Sequence, residues 1–118
     1  MVTATIRMKI PRKKRDEALK ILRSMAEQCK FHSGCLGFLI YDDVQEDNVL
    51  MFEEIWRNEE DLAQHLRSKG YQDVLLVMEM ALKYPEVRFN TVSTSTGIET
   101  IEKARGSEEQ RGHAGGKK

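Results

Sequence analysis

An α+β fold of ferredoxin-like βαββαβ order, built on a four-stranded antiparallel sheet, is predicted for these 118 residues. Three observations predict it. The chain opens with a two-residue alternation of apolar and polar side chains. Two stretches carry apolar residues at helical spacing, each followed by a strand-like run. Between them, two strand-like runs stand back to back with only a polar loop separating them. The order strand, helix, strand, strand, helix, strand is the split β-α-β arrangement, in which both helices pack on one face of the sheet.

Each element has a local cause. Val2, Ala4, Ile6, Met8 and Ile10 alternate with Thr3, Thr5, Arg7 and Lys9, the period of a strand with one apolar face. Pro11 ends it, because proline has no N–H for the ladder. Ala18, Leu22, Met25 and Cys29 then recur at helical spacing with charged residues opposite, predicting an amphipathic helix over about 13–30. Gly34 marks a turn, and residues 36–41 and 49–56 read as strands joined by the polar loop 42–48. Asn58 is placed to cap a helix whose first turn holds Glu59, Glu60 and Asp61, where the helix dipole favours acids. Gly70 interrupts this helix, a second piece runs through Val74 to Leu82, and Tyr84-Pro85 stops it. Residues 87–92 form the last strand. Thr96-x-x-Glu99 resembles a capping box that opens a short helix.

Residues 1–94 are therefore expected to form one domain, and 95–105 a C-terminal extension with a short helix. Residues 106–118, in which Ala114 is the one apolar side chain, are expected to be a disordered tail, since they can bury too little to offset ordering entropy.

Composition excludes several function classes. Lys and Arg number 19, Asp and Glu 19, so the formal net charge is zero. Binding to nucleic acid by bulk electrostatics needs an excess of cations, so a nucleic-acid partner is not expected. No apolar run approaches the ~20 residues of a membrane span, and Met1–Arg15 lacks an apolar leader core; a cytoplasmic protein without membrane contact is expected. Two cysteines are too few for a disulfide framework. Cys29, His32 and Cys35 form C-x2-H-x2-C, but a fourth zinc ligand is missing, so buried thiols and no metal are expected.

The third strand carries bulky apolar groups on both faces: Leu50, Phe52, Glu54 and Trp56 on one, Val49, Met51, Glu53 and Ile55 on the other. A sheet face left open by the helices and bearing Phe and Trp would be an exposed apolar patch, which marks an interface or ligand site. A homodimer whose two open sheet faces stack around a partly polar cavity is the economical solution.

Gly34-Cys35-Leu36-Gly37-Phe38, Tyr41 and the run Phe52-Glu53-Glu54-Ile55-Trp56-Arg57-Asn58 through His65 to Ser68 resemble the antibiotic biosynthesis monooxygenase (ABM) domain, over about residues 2–93. The resemblance implies a dimeric α/β barrel of ferredoxin-like protomers. It also implies chemistry on quinols, anthrones or related phenols in which the deprotonated substrate itself reduces dioxygen, with no cofactor. Other members degrade haem with an Asn, a Trp and a His. That pattern maps onto Trp56 and His65, while Thr3, Thr5 and Arg7 stand on the first strand where it has Asn. Quinol-type members often carry a second His after the His-x-x-Ser segment; here Lys69-Gly70-Tyr71 follows.

The site expected from this reading has His65 as the catalytic base, since a free imidazole titrates at about 6.5 and can take a phenolic proton near neutral pH. Trp56 and Phe52 would supply aromatic walls. Glu54, if it faces the cavity, needs a partner, because an unpaired buried carboxylate is costly; Arg7 is the candidate. Thr5, Tyr41 and Asn90 are further polar contacts for a small aromatic substrate. A non-catalytic dimeric binding module and a haem-binding protein are the competing readings.

Overall fold

The structure, a computed structural model, describes the backbone of residues 1–115 and the side chains of residues 1–106. Strand β1 (Val2–Lys9) leads through a 3-10 turn at Arg12–Lys14 into helix α1 (Arg15–Cys29). Strands β2 (Cys35–Asp42) and β3 (Val49–Trp56) form the central hairpin. Helices α2 (Glu59–Arg67) and α3 (Tyr71–Glu79) follow, then β4 (Glu86–Thr91) and α4 (Ile98–Gly115). The four strands make one antiparallel sheet in the order β2-β3-β1-β4, so the predicted ferredoxin-like α+β fold is the one formed. Pro11 and Gly70 act where expected: β1 ends before the first, and the second separates α2 from α3.

The register fixes the faces. Ile6 lies opposite Phe52, and Met8 opposite Leu50, and directly opposed residues share a face. These four are buried with Ile10, Ala18, Leu22, Met25, Val74 and Val77 in one core between sheet and helices. A smaller cluster of Val2, Ala4, Trp56 and Leu62 continues it toward the end of β3. Leu50, Phe52, Glu54 and Trp56 therefore face the helices. Met51, Glu53 and Ile55 share the opposite face with Thr3, Thr5 and Arg7 of β1 and with Leu39 and Tyr41 of β2.

The C-terminal segment differs from expectation. Helix α4 runs from Ile98 to Gly115, beyond the short helix expected in 95–105 and through most of the segment expected to be disordered. Its first part, Ile98 to Arg105, holds no Gly or Pro to weaken it, and Ile98 and Ile101 stand exposed. The last part of that expected tail, residues 116–118, lies outside the described residues.

Candidate active site

The site is assembled where the end of β3 meets the start of α2. Strand alternation points Glu54 and Trp56 toward the helical layer, and their partners across the ladder are the small Ala4 and Val2. The chain then turns into α2, whose N-cap Asn58 accepts a hydrogen bond from the Asp61 backbone N–H at 2.8 Å. Arg57 Nε donates to Asp61 Oδ2 at 2.9 Å, tightening the same turn. This cap sets the helix direction and so delivers His65, two turns on, over the face of Trp56.

Glu54, Trp56 and His65 form a buried polar cluster. The carboxylate of Glu54 is 1% exposed and Trp56 is 2% exposed. Trp56 Nε1–H donates to Glu54 Oε1 at 2.9 Å, so the indole satisfies part of the buried charge. His65 Nε2 lies 3.0 Å from the same oxygen. That spacing is off the line of a hydrogen bond, and Nε2 has no hydrogen-bond partner among the described residues. The imidazole packs against the indole with ring centres 4.6 Å apart and meets Tyr71 edge-on at 5.2 Å. Burial, and secondarily the negative charge of Glu54, push the Tyr71 phenol up to about 12.

A cavity of about 330 Å³ opens beside this cluster, within the ~300–1,000 Å³ of small-molecule sites. Met25, Phe31, Phe38 and Trp56 give it apolar walls, and His32, His65 and Ser68 give it polar edges. His32 stands edge-on to Trp56 at 5.0 Å. Its Nδ1 accepts the Gly34 N–H at 3.1 Å, so a neutral His32 carries its proton on Nε2. Cys29 and Cys35 also line the cavity and are joined by a disulfide, with Cα atoms 5.4 Å apart.

The structure divides the expected site in two. His65, Trp56 and Glu54 converge. Phe52 does not line the cavity; it lies deeper in the core, stacked on Phe38 at 5.4 Å. Thr5, Arg7, Tyr41 and Asn90 lie on the opposite face of the sheet, by their register with Glu53, Met51, Met51 and Thr3. The expected Arg7–Glu54 pair is thus excluded by strand alternation. Arg7 instead binds Asp43 at 2.9 Å, Glu46 at 3.1 Å and Glu86 at 3.2 Å, and the partners of Glu54 are Trp56 and His65. The cavity beside Trp56 lies on the helical side, and a second of about 310 Å³, bordered by Arg7, Tyr41 and Met51, opens at the other face of the sheet. The two cysteines are not free thiols, because the end of α1 and the start of β2 bring them together. Sulfurs engaged in that bond offer no thiolates to a metal.

Among the contributors that escaped sequence reading are His32, the disulfide and Tyr71, with the wall residues Met25, Phe31 and Phe38. The C-x2-H-x2-C spacing was a signal for the first two, and the adjacency of a helix end to a strand start makes a disulfide its natural outcome. Tyr71 follows the Gly70 break with no pattern of its own.

Residues 1–75 match the sequence profile of the family described as antibiotic biosynthesis monooxygenase. The chain is 27% identical over 66 residues to the uncharacterized protein sll1783 of Synechocystis, a match spanning 56% of this chain and 45% of that protein. Its fold is similar to that of a proposed antibiotic biosynthesis monooxygenase from Deinococcus radiodurans, with TM-score 0.74 and 17% identity over 83% of this chain and 98% of the other. It is also similar to a variant of SnoaB, a cofactor-independent oxygenase from Streptomyces nogalater, with TM-score 0.67 and 14% identity over 80% and 94% of the two chains. The profile match covers more than half of the sequence and carries Glu54, Trp56 and His65 within it, so the chain belongs to the antibiotic biosynthesis monooxygenase family.

Proposed function

We propose that this protein is a cofactor-independent monooxygenase acting on a small phenolic or quinol-type aromatic bound in the cavity beside Trp56. The observation that carries the reading is His65, its ring at the edge of an aromatic-walled cavity and its buried Nε2 set 3.0 Å from the Glu54 carboxylate, which favours a proton on Nε2 and leaves Nδ1 as the nitrogen free for substrate. A general base needs a free nitrogen within reach of the substrate proton. Glu54 is placed to stabilise the imidazolium that forms, and the Trp56 N–H keeps that carboxylate aimed at the ring. Phe31, Phe38 and Met25 hold the substrate ring and exclude water. The deprotonated substrate supplies the electrons: one oxygen atom of dioxygen enters the product, and the other leaves as water with two substrate hydrogens.

The test is oxygen uptake with a panel of hydroquinones, catechols and anthrones, in parallel with substrate quenching of Trp56, the one tryptophan of the chain. Uptake is expected for part of the panel. His65→Ala is expected to lower kcat by ~10²-fold, the usual weight of a general base, while Trp56 quenching persists. Binding without uptake across the panel would make the protein a non-catalytic binding module.

The same reading includes a homodimer. Leu39 and Tyr41 are more than two-fifths exposed on the sheet face opposite the helices, and Met51 and Ile55 extend that apolar surface. Stacking two such faces removes it from water. Sedimentation is expected to give twice the chain mass, and Tyr41→Asp is expected to shift the protein to monomer. A monomeric wild type at tens of micromolar, the order of many weak associations, would refute the dimer.

A further inference from the structure

The geometry points to Cys29–Cys35 as an exchangeable disulfide that latches the mouth of the cavity and takes small thiols as its reactant. Both cysteines line the cavity and are only half-buried, so the bond is open to a small thiol that enters the cavity. Accessible disulfides are the labile ones. The bond closes a short loop, and that loop carries two residues of the cavity, Phe31 and His32. Phe31 is 89% exposed. The backbone bonds of the loop are turns within itself: Phe31 N–H to Gln28, His32 N–H to Cys29, and Cys35 N–H to His32. Gly34 ties it to the β3–α2 turn, its carbonyl accepting the Arg57 N–H at 2.9 Å. The disulfide adds a covalent tie between the helix end of the loop and β2, beside the bonds from the Gly34 N–H to His32 Nδ1 and from the Cys35 N–H to the His32 carbonyl.

The reduced state is also provided for. Cys35 Sγ lies 3.7 Å from the Gly37 carbonyl oxygen, within reach of a thiol hydrogen bond, so the freed thiol has an acceptor in place. The exchange balances as two steps. A small thiolate attacks one sulfur, breaking the protein S–S bond and forming a mixed disulfide. A second thiolate then attacks the mixed disulfide, releasing the small disulfide and leaving two protein thiols that take up the two protons. Two electrons pass from the two small thiols to the protein, and a small disulfide reverses the reaction. This inference does not depend on the oxygenase reading, because the cavity and its disulfide are present whatever the cavity binds.

The experiment uses the full chain and glutathione. The oxidised protein is incubated with reduced glutathione without denaturant, alkylated, and weighed by mass spectrometry. Both cysteines are expected to label. Acrylamide quenching of Trp56 is measured on the same samples, and its quenching constant is expected to rise about threefold on reduction as the loop opens. Cys29→Ser/Cys35→Ser is expected to show the raised constant without reductant. Labelling only after denaturation would overturn the exchange. A quenching constant that is the same for oxidised and reduced wild type would overturn the latch, whether or not the double variant folds.

Discussion

At the scale of residues, Glu54 sets the character of the site. A carboxylate so deeply buried is costly unless neighbours bind it. Here the Trp56 indole donates to it and the His65 ring lies against it. Its charge also reaches Tyr71, whose phenol burial already holds at about 12. A phenol with a folded-state value above the ordinary one binds its proton more tightly when folded. Tyr71 therefore withdraws stability as pH rises from the ordinary tyrosine range through about 12. Glu54→Gln is expected to lower the Tyr71 midpoint without returning it to the ordinary value, because burial is the larger cause. Ultraviolet titration of the phenolate checks this, and an unchanged midpoint would show that the carboxylate exerts no field there.

At the scale of elements, α2 decides where His65 stands. The helix is nine residues long, too short to persist on propensity alone, so its cap and its packing carry it. Asn58 accepts the Asp61 N–H, acids fill the first turn, and Leu62 is buried against Val2, Ala4 and Trp56. Asn58→Ala is expected to cost about 1 kcal/mol, the usual worth of such a cap, read as a lower denaturant midpoint. Because the same turn positions His65, the variant is also expected to lower oxygen uptake while Trp56 quenching by substrate remains. The cap was legible from Asn58 followed by three acids. The imidazole's landing on Trp56 was not, because it depends on how α2 crosses the sheet.

At the scale of the whole molecule, Arg7 is the tie between strands. It reaches from β1 to Asp43 and Glu46 in the β2–β3 loop and to Glu86 on β4. Hydrogen bonds from Arg7 hold the Asp43 and Glu46 carboxyls below their usual range. Carboxyls lowered in the folded state add stability above their unfolded values, about 4, and that stability is lost as pH falls through the lowered folded values. Thermal unfolding is therefore expected to become more acid-sensitive below about pH 4 in wild type than in Arg7→Gln. The difference is expected to shrink in high salt, since these groups are partly exposed. Equal acid sensitivity in the two proteins would remove Arg7 from this role.

The sequence by itself determined the order of elements, the alternation of β1, the breaks at Pro11 and Gly70 and the cap at Asn58. These are local properties, set by side-chain period and backbone chemistry within a few residues. Tertiary structure alone decided which face of β3 meets the helices. Both faces of that strand are apolar enough to be buried, so period gives the alternation but not its phase. One step of phase moved Glu54 from Arg7 to Trp56 and His65. The disulfide followed the same rule: the sequence supplied two cysteines, and the meeting of a helix end with a strand start joined them.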